Sequence, residues 1–368
     1  MSQHGTLGDH WGFIGQLGII GASLRDHLVP GYEPFLATIL DAPYEDAPRL
    51  VYADWLEEQG DPRAEFIRVQ CERSRLPADD PEFNDQRERL EDRESKLLLA
   101  YGDGWRAEIP EWARKNCEFE RGFVHHVNIR TDWQHHYGLV LSRAAPIDKI
   151  TLQNVAGCAI EFADGPQLRH YAGLVILDQQ MEYDDLRELM RSSAVTEPLR
   201  SLQFMGIGGK FGDTGALEVS LAPGLTNLTR LELVRCNVGH RGIDRLSASE
   251  FVKKVTWLDL SDNELTDDCI WLLAHSEWSR PITHLFLNRN QIHNIGVQGM
   301  VESPHLANLT HLELDYNFLG DRAARLLIER FPNLRHLSIE HNSLTVSGCL
   351  DLQRAYGPRV KFGNPFER

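Results

Sequence analysis

Apolar residues recur at intervals of three to four positions between Tyr32 and about Tyr101, the spacing that places side chains on one face of an α-helix. The pattern predicts four helices. The positions that define the first three are Phe35, Leu36, Ile39 and Leu40, then Leu50, Val51, Ala53, Trp55 and Leu56, then Phe66, Ile67 and Val69. Asp46 is suited to cap the start of the second helix, and Gly60 to end it. The charge-rich stretch from Pro81 to Tyr101 predicts a fourth helix that is largely solvated.

From residue 123 onwards the apolar positions follow a repeat, in which three aliphatic residues precede a cysteine or an asparagine. The five clearest units are Leu228-x-x-Leu231-x-Leu233-x-x-Cys236, Val255-x-x-Leu258-x-Leu260-x-x-Asn263, Ile282-x-x-Leu285-x-Leu287-x-x-Asn290, Leu309-x-x-Leu312-x-Leu314-x-x-Asn317 and Leu334-x-x-Leu337-x-Ile339-x-x-Asn342. Their last positions are 27, 27, 27 and 25 residues apart. Weaker copies precede them, at Leu199/Leu202/Phe204, Tyr171/Leu174/Ile176, Ile147/Ile150/Leu152 and Val124/Val127/Ile129.

Each unit predicts a short strand followed by a helix. The aliphatic residues point inward from the strand, and the asparagine side chain bonds backbone groups in the turn that leaves it, with Cys236 in its place in one unit. The helical halves are expected from Thr266 to His275, Asp321 to Arg330 and Val346 to Arg354. Stacked units give an α/β solenoid with a parallel sheet on its concave side. A full helix in each repeat of about 27 residues indicates a strongly curved horseshoe.

The strand register also predicts a surface, because side chains alternate across a sheet. The position before the second aliphatic residue holds Trp257, His284, His311 and His336, and the position after it holds Asp259, Phe286, Glu313 and Ser338. Adjacent strands lie about 4.8 Å apart, so we expect exposed histidines in a ladder flanked by acids. Exposed aromatic residues often anchor protein interfaces. The predicted partner-binding residues are therefore Trp257, Asp259, His284, Phe286, His311, Glu313, Tyr316 and His336.

Two resemblances extend this interpretation. The repeats resemble ribonuclease-inhibitor-type leucine-rich repeats. The segments Phe35-Leu36-Ala37-Thr38-Ile39-Leu40, Asp46-Ala47-Pro48-Arg49-Leu50-Val51-Tyr52-Ala53-Asp54-Trp55-Leu56-Glu57-Glu58, Gly60-Asp61-Pro62-Arg63-Ala64-Glu65-Phe66-Ile67-Arg68 and Arg121-Gly122-Phe123-Val124 are similar to the repeat-companion domain of planctomycete bacteria. The resemblance implies a small, all-α, acidic capping domain at residues 31–122 and a leucine-rich-repeat domain at 123–368, and it implies no activity. Residues 1–30 would be a flexible or docking tail.

Charge and cysteine content narrow the choice of partner. The formal net charge is −16, and an acidic chain repels phosphate backbones, so we expect no nucleic-acid partner. A protein partner with a basic surface fits better. The six cysteines are scattered, which favours a reducing cytoplasm. No apolar run reaches the roughly 18 residues of a membrane span. The sequence leaves the oligomeric state open.

Two groups of residues offer other chemistry. Asp54 and Glu58 lie one helical turn apart and could act as paired carboxylates. The alternative places Trp55 in the core and turns the acids towards solvent or towards arginines such as Arg49 and Arg63.

The pairs His125-His126 and His135-His136 suggest a metal site, but no cysteine supports it as a further ligand. We therefore assign no catalytic residue, metal or cofactor. The sequence predicts a non-catalytic recognition or scaffold module that binds through the concave face of its repeats. An occluding inhibitor of a basic enzyme and an enzyme that uses carboxylates of the helical domain are the alternatives.

Overall fold

The computed structural model describes residues 29–77, 81–130, 141, 144–153, 155–157, 159, 163, 166–177, 180–206 and 211–363. They group into two compact units, divided between Ile150 and Thr151, with positions 81 and 130 assigned to the second. The expectation for residues 1–30 lies outside the described residues except at Val29 and Pro30. Within the described ranges, no helix has both the length and the apolar character needed to cross a membrane.

The first unit is mainly helical. Its helices are α1 (Glu33–Asp41), α2 (Asp46–Glu58), α3 (Arg63–Arg75), α4 (Asn84–Arg106) and α5 (Glu111–Arg114). Strands β1 (Glu118–Glu120) and β2 (Phe123–Arg130) form an antiparallel pair. The four predicted helices are thus confirmed, and α4 continues five residues beyond the predicted end.

Two details of the first unit differ from the prediction. The residue at the N-cap of α2 is Glu45, and Asp46 lies inside the first turn, where its carboxylate meets Arg75 at 2.8 Å. The segment 31–122 is also not entirely helical, because β1 lies within it. There the Phe119 ring packs edge-on against Phe66, with ring centroids 5.5 Å apart, while the backbone pairs with β2.

A buried arginine ties β2 to the helices of this unit. The guanidinium of Arg63 donates to the carbonyl of Gly122 at 3.1 Å, pairs with Glu108 and lies 4.6 Å from the centre of the Phe123 ring. Burial lowers the pKa of Arg63 to about 10, so the group stays charged at neutral pH and Glu108 supplies its counter-charge. Gly122 has φ +90°, and a Cβ there would overlap Ile67, so the close approach requires glycine.

The second unit is a parallel sheet backed by helices. Strand β3 (Lys149–Gln153) contains the division between the units. The later strands are β4 (Gly173–Ile176), β5 (Ser201–Met205), β6 (Arg230–Val234), β7 (Trp257–Asp259), β8 (His284–Phe286), β9 (His311–Glu313), β10 (His336–Ser338) and β11 (Val360–Lys361). From β4 to β11 they lie side by side in chain order, and each neighbouring pair is parallel.

A helix follows most strands of this unit. The helices are α6 (Tyr183–Arg191), α7 (Ser193–Thr196), α8 (Gly212–Leu221), α9 (His240–Ser247), α10 (Asp267–His275), α11 (Asn294–Glu302), α12 (Asp321–Arg330) and α13 (Val346–Tyr356). The five clearest predicted units each contain a strand followed by a helix, and the three helices whose spans were predicted match them to within two residues. The residues that follow β2 and β3 lie largely outside the described part of the chain. The second residue of each strand from β6 to β10 is a fully buried leucine, namely Leu231, Leu258, Leu285, Leu312 and Leu337.

The asparagines that close the repeats join one unit to the next. The Nδ2 of Asn290 donates to the carbonyls of Leu260 and Leu287 at 3.1 Å each, and its Oδ1 accepts the N–H of Leu265 at 3.1 Å. Asn263 and Asn317 make the equivalent bonds, with the N–H groups of Val238 and Ile292 as donors to their Oδ1 atoms. The side chain thus satisfies buried backbone groups of its own repeat and of the preceding one. The sequence predicted the bonds within the turn of its own repeat.

The helix starts are also joined across repeats. The Oδ1 of Asp267, in the first turn of α10, accepts the N–H groups of His293 and Gly296 at the start of α11, at 2.7 and 2.9 Å. In the same way, Oδ1 of Asp213 accepts the N–H groups of Gly239 and Gly242 at the start of α9. A carboxylate at a helix N-terminus satisfies free N–H groups and opposes the helix dipole. The starts of α9 and α11 are therefore each capped by an aspartate of the preceding helix.

Candidate functional site

The predicted site lies on strands β6 to β10. Their buried leucines face the helices, and the alternate side chains form what we call the open face. Cα pairing places Arg230, Trp257, His284, His311 and His336 in one row across the five strands. The next row holds Glu232, Asp259, Phe286, Glu313 and Ser338. The structure therefore brings seven of the eight predicted residues into two adjacent rows, with Tyr316 beyond the end of β9.

The first row is a continuous stack of planar groups. The ring of Trp257 lies 4.5 Å from that of His284 at an angle of 18°, and 4.8 Å from that of Phe286. The rings of His284 and His311 are parallel within 3°, with centroids 4.0 Å apart. His336 continues the row at 6.1 Å from His311. Because the backbone register fixes the ring spacing, the stack is largely ordered before any partner arrives.

This packing corrects one expectation. We expected every side chain of the row to be open to solvent, but His311 is only 6 % exposed. Its ring is covered because it stands between His284 and His336. His311 therefore acts on the surface mainly by supporting its two neighbours, whose rings remain partly exposed.

Threonine hydroxyls position the two closely stacked histidines. The hydroxyl of Thr283 lies 3.1 Å from the carbonyl oxygen of Thr256 and 2.8 Å from Nδ1 of His284. Thr310 and His311 repeat the arrangement. Each hydroxyl thus holds the imidazole ring beside it in a set orientation.

The second row carries the acids. Oε1 of Glu232 meets the Arg230 guanidinium, and Oδ1 of Asp259 accepts the N–H of Ser261 at 2.8 Å. Burial raises the pKa of Asp259 above its ordinary value, and the neighbouring carboxylates of Glu232 and Glu313 raise it further against the lowering effect of the Ser261 hydrogen bonds. The half-buried carboxylate is thus held in surroundings that disfavour its charge.

The pKa of Glu313 is shifted in the opposite direction to that of Asp259. The side chain of His336 lies 3.4 Å from its Oε1, and Nδ2 of Asn288 donates to its Oε2 at 2.6 Å. The hydrogen bond with His336 lowers the pKa of Glu313, in spite of its partial burial. In the next row, burial raises the pKa of Asp315, which accepts the Ser338 hydroxyl at 2.8 Å.

A further row at the strand ends was anticipated by the sequence interpretation only at Tyr316. The residue before each closing cysteine or asparagine has positive φ, and these residues are Arg235, Asp262, Arg289, Tyr316 and His341. The sequence could have revealed this row, because each of these residues comes one position before the closing cysteine or asparagine of its repeat. The guanidinium of Arg289 lies 4.0 Å from the centre of the Tyr316 ring, and that ring stacks on His341 at 4.1 Å. Tyr316, 42 % exposed, therefore extends the aromatic surface past the end of β9.

The sequence interpretation also omitted Arg230, although it occupies the same register as Trp257. Its guanidinium carbon lies 4.0 Å from the centre of the Trp257 ring, and its Nε contacts Glu232. The open face therefore already holds one guanidinium that is stacked on an aromatic ring and paired with a carboxylate.

The alternative candidates are surface or core contacts. The side chain of Asp54 is 74 % exposed and pairs with Arg68 at 2.7 Å. The arginines expected near it lie elsewhere, because Arg49 is buried and donates to the carbonyl of Pro43, and Arg63 pairs with Glu108. These contacts give Asp54 and Glu58 no enclosed site.

The histidine pairs do not form a metal site among the described residues. Nδ1 of His125 contacts Asp148 at 2.9 Å, and Nδ1 of His126 contacts Glu118 at 3.1 Å. His135 and His136 lie outside the described residues. Within the described part of the chain, no group of three or more histidine, cysteine or acidic side chains is arranged to hold a metal ion.

Comparison with known proteins gives fold-level similarity alone. No protein-family model matches the sequence, and no curated protein matches it, so the resemblance to the repeat-companion family stands on the motifs themselves. Solved structures with similar folds include leucine-rich-repeat proteins. Internalin InlF from Listeria monocytogenes is 14 % identical and the match covers 62 % of this chain and 70 % of that chain, with a TM-score of 0.39.

Two further structures show similarity of the same order. The Rad7–Elc1 complex from yeast is 13 % identical over 84 % of this chain and 82 % of that chain, with a TM-score of 0.46. Actin-binding site 2 of leiomodin-1 is 18 % identical over 39 % of this chain and 88 % of that chain, with a TM-score of 0.30. The mixed α/β repeat architecture therefore rests on the chain's own strands and helices.

Proposed function

We propose that this protein is a non-catalytic recognition or scaffold module, and that it binds another protein through the open face of β6 to β10. The observation that carries the proposal is the stacked row from Trp257 to His336, with Phe286 beside it. Seven of the eight residues predicted from the sequence are the proposed contacts, and His311 is proposed to support them. We further propose that this face is the concave side of a leucine-rich-repeat horseshoe, and that residues 31–122 are a capping companion domain.

Preorganisation supports a binding role for this surface. Ordering a long side chain on binding costs about 0.5–1.5 kcal/mol, and side chains already fixed by stacking avoid much of that cost. Ring-to-ring contacts hold Trp257, His284 and Phe286 on neighbouring strands before binding. The αL backbone at Tyr316 also holds its ring at a set position, although this conformation is unfavourable for a residue with a side chain.

A protein surface fits this face better than a small molecule does. The rows extend across five strands, and a binding surface of that extent suits a macromolecule. A cavity of about 590 Å³ among the described residues lies near Trp278 and Lys253, and none of its lining residues belongs to the open face. The acidic second row disfavours a nucleic acid and favours a partner with a basic surface.

The test is loss of capture by an open-face variant. Trp257, Phe286 and Tyr316 are replaced together by alanine, and a matched control replaces the exposed residues Leu99, Leu221 and Leu350 by alanine. Each protein is immobilised and exposed to lysate of its own cells at low and high salt, and captured proteins are quantified by mass spectrometry. Binding of the leading candidate is then measured with both proteins purified.

We expect at least one protein to be captured by the native and control proteins and lost with the open-face variant. Far-ultraviolet circular dichroism checks that all three are folded. Capture that is the same for the native protein and the open-face variant would refute the assignment. Several components retained together would indicate a scaffold. A single tight basic enzyme, released by salt and inhibited when bound, would indicate the occluding inhibitor, which the acids of the second row favour as the second candidate.

A further inference from the structure

We propose that the partner inserts an arginine over Phe286, between the carboxylates of Asp259 and Glu313. The inference deepens the proposed function and rests on it, because it names the chemistry of the group that the open face recognises. The occupant is a basic segment of another protein, and charge complementarity with the second row is the main reason for choosing it.

The first argument is the position of Phe286. It pairs in register with Asp259 on β7 and with Glu313 on β9, so an aromatic ring stands between two acids in one row. Adjacent strands are about 4.8 Å apart, so a cation above the ring lies within reach of both carboxylates. The Phe286 ring is partly exposed and supported by Trp257 at 4.8 Å.

The second argument is that the surface already binds guanidinium groups in this way. Arg230 lies 4.0 Å from the centre of the Trp257 ring and pairs with Glu232, and Arg289 lies 4.0 Å from the centre of the Tyr316 ring. Phe286 stands between these two places, and no guanidinium of the described chain stacks on it. An arginine from a partner would therefore complete a pattern that the chain's own residues have formed on either side.

The third argument is the charge balance of the row. The carboxylate of Glu232 contacts the guanidinium of Arg230, and that of Glu313 contacts the imidazole of His336. Asp259 has no lysine, arginine or histidine within ion-pair distance among the described residues. It is half-buried beside like charges, which also raises its pKa. A cation at this place would offset the repulsion between Asp259 and the carboxylates of Glu232 and Glu313.

Arginine suits this place better than lysine. Its guanidinium is planar, so it stacks on a ring while its edge donates to carboxylates on both sides. It is also less strongly hydrated than an ammonium group, so covering it between Phe286 and the strand side chains costs less free energy. Lysine would act as a point charge and would gain less from the ring.

The experiment measures binding of fluorescein-labelled hexa-arginine and hexalysine to the full chain by fluorescence anisotropy. The variants are Asp259→Asn and Phe286→Leu, which keep size and remove the charge or the aromatic face. The matched control is Asp244→Asn, which makes the same change at an exposed position of α9. Urea denaturation of each variant establishes that it is folded under the binding conditions.

We expect Asp259→Asn and Phe286→Leu each to weaken hexa-arginine binding by about tenfold, with Asp244→Asn changing it by less than about twofold. Hexa-arginine should bind more tightly than hexalysine at the same salt concentration. Equal losses for Asp259→Asn and Asp244→Asn would overturn the proposal, because binding would then reflect only the net negative charge. Equal affinities for the two peptides would overturn the choice of arginine.

The same reagents separate this inference from the proposed function. If the captured partner is lost with the open-face triple variant but is not displaced by hexa-arginine, the arginine site is wrong and the recognition function stands. If hexa-arginine binds at Phe286 as expected but no captured protein depends on the open face, the recognition function is wrong.

Discussion

Replacing Asn290 by alanine is expected to destabilise the second unit strongly, although the residue carries no charge. Its side chain is buried and bonds the carbonyls of Leu260, Leu287 and Asn288 and the N–H of Leu265. Two of these groups belong to the preceding repeat. The substitution therefore removes contacts within a repeat and between repeats at the same time.

The magnitude follows from counting the groups left without partners. The amide of Asn290 has two hydrogens and one accepting oxygen in use, which amounts to three full hydrogen bonds. Each contributes about 1 kcal/mol net, and the buried N–H of Leu265 left unsatisfied adds about 1–2 kcal/mol. We expect a loss of about 4 kcal/mol in the free energy of unfolding. That is a large fraction of the roughly 5–15 kcal/mol typical of a folded protein.

The assay is urea denaturation followed by tryptophan fluorescence and circular dichroism. Asn308→Ala is the control, because Asn308 is exposed and its side chain makes one described hydrogen bond, to the carbonyl of Arg280 at 2.9 Å. It should cost less than about 1 kcal/mol. If Asn290→Ala costs no more than Asn308→Ala, the asparagines do not hold the repeats together and the reasoning fails.

Two further predictions concern the acids and the helix starts. Because the pKa of Asp259 is raised in the folded protein, its ionisation opposes folding at neutral pH; Asp259→Asn should therefore increase the free energy of unfolding at pH 7, and urea titrations should show the gain vanish as the pH falls below the ordinary carboxyl pKa of 3.8. Gly296→Ala should destabilise the protein by about 1–3 kcal/mol, because the new Cβ would lie 2.6 Å from Oδ1 of Asp267. Gly104→Ala in α4 should instead stabilise it by about 0.5–1 kcal/mol, because a Cβ there would approach no side chain within 4 Å. A stabilising Gly296→Ala, or an Asp259→Asn gain that persists in acid, would contradict these arguments.

The periodic apolar positions were sufficient to locate the strands and helices of the repeats. Leu258 and Leu285, for example, recur at a spacing that only repeated burial explains, and both are fully buried in β7 and β8. Helix ends were less certain, because several residues near an end compete for the capping position. Asp46 is a favourable N-cap residue, but it lies within the first turn of α2, where Arg75 binds it.

The candidate site could be predicted in register but not in detail. Alternation along a strand correctly placed Trp257, His284 and His336 in one row. It could not show that His311 would be covered by its neighbours, because covering depends on the ring angles across three strands. It also could not show that Arg230 folds over Trp257.

The sequence by itself determined the period, the strand–helix alternation, the acidic charge and the residue types of the open face, because each depends on local spacing or on composition. Only the tertiary structure decided which groups meet across repeats. Asp267 caps the helix that begins with Asn294, and Asp259 stands beside Glu232 with no basic side chain of the described ranges paired to it, though both pairs are 27 residues apart. Such contacts depend on how one repeat is stacked on the next. Stacking sets the distances between side chains of different repeats, whereas local periodicity does not specify those distances.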